Sequence, residues 1–599
     1  MGLFTYPLSL FTKQISMSKT FRYITVMTLL FAGVKNFAQK RDENIGTEVV
    51  NVVKPYTPTI SDAFKVKETP VIEDETNTDK EEIKYNIFSF PVASTFTPAK
   101  GRAAAVDKEA KERIFKNYAT LGVGNYGTIN GELFITENLS STDYVGGMLR
   151  HLSSQGGIND VKLDDKYYNT SLDLTYGSRT RDMDWNADLG YKHQMYNWYG
   201  LPTEFVTFTD DAIKLIDEQQ TYQTLTLGAK LGMKESVLDD TSLQFKRFWD
   251  SHGSQENRFF VKPAINFEVD NFKFKTGFVV DYVGGSFEKN YFDTGDISYS
   301  YLNFGAQPAI LLQQDDLSVQ AGAGFFYSVG KYNEGSDNKF YIFPQVKASY
   351  KLVGDIMIAY AGAEGTLKQN TFADFVDENK FISPTLAIAP TNQQYDIYVG
   401  LKGKLANTVT FNVRGSYMAE DDRVFFAANP LAVTTNEEGY AYGNSFDVIY
   451  DNLTTISVFG ELKMDFSKNA TFGINGTFNS YTTDQDEAWN LPSMKVGANL
   501  DVNITKKWYA GTNIFFVGER KDRMIIQDAT AVFPPTFTTH KVTLDSYFDL
   551  NAHLGYKHNE RLTGFLKLNN IANQQYERWL NYPVQGFQFL IGANYKFDF

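Results

Sequence analysis

The stretch FQFLIGANYKFDF at 587–599 decides the fold. Phe587, Phe589, Ile591, Ala593, Tyr595, Phe597 and Phe599 recur at every second position, and Gln588, Asn594, Lys596 and Asp598 fall mainly between them. A period of two places the rings on one face of a β-strand and the polar groups on the other. The same split returns upstream. Val542, Leu544, Phe548, Leu550, Leu554 and Tyr556 oppose Thr543, Asp545, Asp549, Asn551, His553 and Lys557. Phe272, Phe274, Phe278 and Val280 oppose Lys273, Lys275 and Asp281, and Trp185, Ala187, Leu189 and Tyr191 oppose Asp184, Asn186, Asp188 and Lys192. So many charged groups cannot enter a dry core unpaired, so the polar face is wet and the ringed face meets another apolar medium.

Working outward, such segments follow one another from Asn117 to the end of the chain, with no convincing amphipathic helix among them. Their connections alternate in length. Tight turns fall near Asp239-Asp240, Asp270-Asn271, Asp315-Asp316, Gly354-Asp355, Ala406-Asn407, Lys468-Asn469, Lys506-Lys507 and Asn559-Glu560. Longer polar loops fall near 197–219, 285–297, 369–391, 421–443 and 520–540. Short turns on one rim and long loops on the other are the signature of an all-β, transmembrane outer-membrane barrel. The connections imply about 22 antiparallel strands, an even number that brings both ends of the barrel to the periplasmic rim. A barrel that wide needs something in its lumen, and an N-terminal arm, inward-folded loops or a partner protein are the candidates.

Composition agrees. The 599 residues include Tyr 36 and Phe 49, and aromatics reach 15%. Mean hydropathy is nevertheless −0.32, the balance expected of half-wet strands. Net charge is −14, so no broad basic surface exists for a nucleic-acid backbone. With Cys 0 there is no disulfide, thiolate metal site, cysteine nucleophile or cysteine-linked lipid anchor.

The first residues differ from the rest. Lys13, Lys19 and Arg22 precede an apolar stretch from Tyr23 to Val34, and Asn36-Phe37-Ala38 follows. This reads as a secretory signal peptide over 1–38, cleaved near Ala38, and with the barrel pattern it places the mature chain in the outer membrane of a Gram-negative bacterium. Residues 39–116, with Pro55, Pro58, Pro70, Pro91 and Pro98 and the run Glu73-Asp74-Glu75, read as an extended periplasmic or lumen-filling arm. Within it Thr47, Glu48, Val49, Val50, Asn51, Val52 and Val53 form a β-prone segment suited to strand addition by a partner, and Ala103 to Phe115 suits a short helix. The barrel occupies 117–599.

Chemical motifs are few. Gly122-x-Gly124-x-x-Gly127 matches a dinucleotide fingerprint in letters, but a strand pattern follows it, and glycines there suit a bend or close strand approach. The six histidines show no metal-ligand spacing. The acidic runs Glu420-Asp421-Asp422 and Asp484, Asp486, Glu487 lack the glycine of a calcium loop. No cofactor is expected, and no catalytic motif points to an enzyme.

The C-terminal region, with Asn569-Asn570-Ile571-Ala572-Asn573, Tyr576-Glu577-Arg578, Pro583-Val584-Gln585-Gly586 and the closing strand Gly592 to Phe597, resembles the barrel end of Bacteroidetes-type TonB-dependent receptors. The resemblance of style covers roughly 117–599. It implies uptake of a specific solute across the outer membrane, a TonB-like protein acting on the segment Thr47 to Val53, a surface lipoprotein, and barrel assembly machinery that reads Phe597 and Phe599. The family's plug domain is not complete here, since only the arm precedes the barrel. The alternative is a non-transporting barrel that serves as a scaffold or subunit of an envelope complex; a passive pore is a third possibility. The lumen-facing polar residues expected in any of these are Asp545, Asp549, Asn551, His553, Lys273 and Lys275.

Overall fold

The computed structural model describes residues 113–269, 272–292, 295–431, 437–527 and 537–599. The signal-peptide reading, the segment Thr47 to Val53 and most of the expected helix ending at Phe115 lie outside them. The described end of that helix, Arg113 to Phe115, is not helical.

The wall strands from Asn117–Gly124 to Gln588–Phe597 pair antiparallel with their neighbours around a single sheet, and two short hairpins, Arg520–Gln527 with Phe537–Leu544 and Glu577–Trp579 with Tyr582–Pro583, lie outside it. The sheet closes because Asn117–Gly124 also pairs with Gln588–Phe597, from Asn117 opposite Phe597 to Gly124 opposite Leu590. Gln255–Lys262 and Ala264–Val269 both pair with Phe272–Phe287 and form one strand interrupted at Pro263, which has no N–H for the ladder. Counted so, the barrel has 22 strands, as the connections imply. Closure leaves no free side edge, so the ladder groups are paired from strand to strand around the wall, which a membrane requires.

The alternation orients the wall. Along the last strand Phe589, Ile591 and Tyr595 are exposed and Leu590 is buried. Leu189 and Tyr191, Ile397 and Val399, and Ile456 and Val458 form the same outward apolar band. These rings and branched chains meet lipid, and the positions between them face the lumen.

Gly124 and Gly592 sit at the seam because the strands approach closely there. A Cβ on Gly124 would lie 2.1 Å from the Phe589 carbonyl oxygen, and one on Gly592 would lie 2.4 Å from that of Leu121. Gly127 turns the chain with φ +60. The apparent dinucleotide fingerprint is thus strand and turn.

On the rim that carries Asn117 and Phe597 the turns are short, as at 315–316 and 468–469. The opposite rim carries 198–218, 369–390, 429–445, 518–546 and 570–587, although its turns at 251–254 and 333–334 are also short. The wall is uneven. Asn117–Gly124 has 8 residues whereas Phe446–Ser467 has 22. At roughly 3.3 Å per residue this strand is about 70 Å long, and at the usual barrel tilt of about 35–45° it still rises about 50 Å or more against a hydrocarbon layer of about 30 Å, so it projects on the long-loop rim. Its projecting part is packed on both faces. Phe425, Leu453 and Trp489 form one cluster, and Val424, Phe426, Phe446 and Val448 join the central one.

The stretch 542–557 departs from a single alternating strand. Phe537–Leu544 pairs with Arg520–Gln527 in a separate hairpin, and the barrel strand begins only at Tyr547. Val542 and Leu544, with Met524 and Ile526, pack against the central cluster and do not meet lipid. The break at 545–546 ends one pattern and starts another, which a period of two cannot register.

Candidate functional site: the closed mouth of the barrel

Long loops fold inward and fill the mouth. The loop 369–390 brings the helix Phe372–Glu378, capped by the Thr371 side chain, against the wall. Phe372, Phe375, Val376, Ile382, Leu386 and Ile388 are buried among the inward rings Tyr222, Phe248, Phe287 and Tyr299. From the other side 570–587 inserts Trp579, Leu580 and Tyr582. Phe381 stacks on Tyr582 with ring centroids 3.7 Å apart, and the Tyr582 hydroxyl donates to the Asn444 carbonyl. The apolar loop residues form this core because leaving them in water would cost about 1.5–3 kcal/mol for each large side chain.

Polar contacts latch the helix to one sector of wall. Glu256, 2% exposed, accepts from the backbone N–H of Phe372 at 2.7 Å and of Ala373 at 3.2 Å, and from the Tyr299 hydroxyl at 2.6 Å. A carboxylate suits these N–H groups, which have no partner within the first helical turn. Asp374 pairs with Lys246 at 3.4 Å and with Arg258 at 3.2 Å, and Arg258 also holds Asp281 at 2.7 Å. Asp377 pairs with Lys192 at 2.8 Å and Lys380 at 3.0 Å. Burial opposes the charge on Asp377, but Lys380 and Lys192 prevail and hold its carboxyl below the usual range. Burial pushes the Lys380 ammonium down, against the opposing pull of Asp377.

Three cavities adjoin the lumen. One of ≈ 510 Å³ lies against Ala373 and Asp377 and is lined by Lys192, Lys246, Arg150 and Asp173. One of ≈ 590 Å³ is lined by Lys230, Lys262, Lys275, Asp184 and Asp239. The third, ≈ 560 Å³, lies between the C-terminal end of the helix and the 570–587 loop, with Tyr196, Tyr199, Tyr576 and Arg578 among its walls.

The residues expected to face the lumen do not form one site. Asp549 accepts from the Tyr576 hydroxyl at 3.1 Å and Asn551 from the Asn570 N–H at 3.0 Å, and both line the third cavity. His553 Nε2 stands 3.9 Å from Asp501. Lys275 lies 3.8 Å from Asp239 in the ≈ 590 Å³ cavity, and Lys273 pairs with Glu268 at 3.0 Å. Asp545 is exposed at the break between the hairpin and the barrel strand. Phe597 ends the closing strand, and Phe599 is exposed with its ring 5.4 Å from that of Phe597. Glu256, Arg258, Asp374 and Asp377 were not singled out by sequence, and Arg578 entered only as part of the C-terminal resemblance, without a role in a site. The available signal was the apolar content of 372–388, unusual for a loop in water.

A 22-stranded barrel with short turns on one rim and a filled mouth on the other defines the class: the fold is that of TonB-dependent receptor barrels. No protein-family model matches the chain, and no curated protein is similar to it. Among solved structures it is similar to FpvA of Pseudomonas aeruginosa bound to heterologous pyoverdines, with TM-score 0.59 and 11% identity over 81% of this chain and 72% of that one. It is also similar to the FrpB iron transporter from Neisseria meningitidis (TM-score 0.60, 9% identity, 81% and 82% covered). The siderophore receptor PirA from Acinetobacter baumannii gives TM-score 0.58 at 11% identity, with 82% and 81% covered. At such identities the likeness is one of fold.

Proposed function

We propose that the chain is an outer-membrane barrel that takes up a specific solute through a mouth gated by its own loops, and that it is not an enzyme. One observation carries this reading. The mouth is shut by elements that hang from the wall on exchangeable contacts, the Glu256 latch and the ion pairs of Asp374 and Asp377, above polar cavities in the lumen. A general diffusion pore has no use for such a closure, whereas a selective route needs one that can open. In this reading residues 1–38 are a signal peptide, 39–116 a periplasmic or lumen-filling arm, and Thr47 to Val53 the segment engaged by a TonB-like protein. Outer-membrane lipid surrounds the apolar band, barrel assembly machinery reads Phe597 and Phe599, and a surface lipoprotein is the natural partner at the long-loop rim.

A second reading, a scaffold subunit of an envelope complex, is favoured by the size of the buried ring cluster, much of which a gate would have to expose each time it opened. A cross-link separates the two. The chain has no cysteine, so Lys192→Cys with Asp377→Cys gives the only thiols for a short bifunctional reagent. Uptake requires that the cross-linked protein fail to relieve the nutrient-specific growth defect of a deletion strain, while either single variant relieves it. Full relief by the cross-linked protein contradicts gating.

A further inference from the structure

The ≈ 560 Å³ cavity is charged in an unusual way. Most of its ionic groups are already satisfied. Lys166 pairs with Asp164 at 2.5 Å, Lys380 with Asp377 at 3.0 Å, and Asp549 accepts from Tyr576. Asp165 accepts from the N–H groups of Gly157 and Ile158, both at 2.9 Å. Two opposite charges are left over. Arg578 and Glu378 both line the cavity, and among the described residues neither has an ion-pair or side-chain hydrogen-bond partner.

The position of Arg578 is fixed from behind. Arg520, 6% exposed, donates through its guanidinium to the carbonyl oxygens of both Arg578 and Glu577, so the peptide that carries Arg578 is held before any ligand arrives. Glu378 ends the latched helix and is held through it. The same cavity is lined by Tyr196, Tyr199 and Tyr576, of which Tyr576 stacks on Tyr547 and Tyr196 on Tyr167. The Tyr199 hydroxyl donates to the Pro583 carbonyl at 3.0 Å, and its ring meets those of Phe381 and Tyr582 edge to face, which fixes this part of the wall.

A guanidinium presents a planar fork that matches a carboxylate, a free carboxylate receives an ammonium, and aromatic faces accept both an apolar group and a cation. A volume of this order is typical of a small-molecule site, and a few placed polar groups in an aromatic wall are the usual composition of one. We propose that this cavity binds a zwitterionic solute of amino-acid or short-peptide type, its carboxylate on Arg578, its ammonium on Glu378 and its side chains against the tyrosines. The inference deepens the uptake reading and rests on it only for its physiological use, since binding itself needs no transport.

The test is calorimetric titration of the full chain in mild detergent with the dipeptide of two L-phenylalanines, its N-acetyl form and its C-terminal amide. The zwitterion binds, and loss of either charge weakens binding by about tenfold or more. Arg578→Gln abolishes the preference for the free acid over the amide, and Glu378→Gln abolishes that for the free amine over the acetylated form, each leaving the other preference intact. Heat-modifiable migration confirms that both variants remain folded barrels. Equal binding of the three probes, or no heat from the zwitterion up to about 1 mM, overturns the proposal. Binding without any growth phenotype leaves the site standing and removes the uptake reading; no binding beside a clear nutrient phenotype does the reverse.

Discussion

Replacing Glu256 by alanine tests the latch. Its carboxylate is the acceptor for three buried donors: the N–H groups of Phe372 and Ala373 and the Tyr299 hydroxyl. Truncation leaves all three without a partner. An orphaned buried donor costs about 1–3 kcal/mol, and some of this is recovered where water enters the space left by the side chain, so a loss of about 3–5 kcal/mol is expected. The cost falls on the closed position of the helix Phe372–Glu378 and not on the ladder, which keeps every inter-strand bond. At about 1.4 kcal/mol per decade, the open population of the 369–390 loop rises by roughly a hundredfold to several thousandfold. Hydrogen exchange followed by mass spectrometry reads this directly. Amides of 372–378 lose protection by about two to three and a half decades, while amides of Val409–Ala428 in the wall keep theirs. Glu256→Gln, which keeps a carbonyl acceptor, falls between. Unchanged protection of 372–378 in Glu256→Ala would refute the reasoning, because the helix would then be held by its apolar face alone.

Three further outcomes follow from the same structure. Ile591, 55% exposed on the lipid face, becomes costly as arginine, at about 2–4 kcal/mol near mid-membrane, so Ile591→Arg blocks the heat-modifiable barrel form on gels while Asn594→Arg on the lumen side retains it. Phe589 is a poorer position for that test, since it is the second residue of its strand and lies toward the loop rim, where the penalty falls. Gly124→Ala drives a methyl into the Phe589 carbonyl 2.1 Å away, so the seam must shift and thermal stability falls by about 1–3 kcal/mol in a melt. Glu577, in the 570–587 loop, is raised from 4.5 to about 7 by burial and by the nearby Glu204. Its protonated form is the one the folded loop favours, so loop stability is greatest below 4.5 and declines as pH rises towards 7. Tryptophan fluorescence melts follow that decline, and Glu577→Gln flattens it.

The barrel was legible because lipid outside and water inside impose one rule on every strand. Rings at alternate positions in 587–599, with tight turns such as Asp315-Asp316, carry both strand type and number. Pro263 does not add a strand, because both flanking segments keep the same partner. The mouth was not legible for the opposite reason. Its loops obey no period, and what places Phe372 beside Phe248 and Phe287 is contact between residues far apart in the chain. Val542 and Leu544 show the limit well. They continue the alternation of 547–557 in letters, yet the break at 545–546 turns them to the loop core. The polar residues on the strands could be assigned a face, as for Asn551, but not a partner, since Asn570 reaches it from a loop. Arg578 could not be distinguished from any other loop arginine until the charges around it were seen to be paired.

Purification of the native protein in mild detergent, with mass spectrometry of what accompanies it, decides whether the molecule is a gated uptake barrel. A gated uptake barrel is recovered alone, or with a TonB-like protein or a surface lipoprotein. Recovery in a defined stoichiometric assembly of other envelope subunits would contradict it and make the closed mouth a structural floor for that complex.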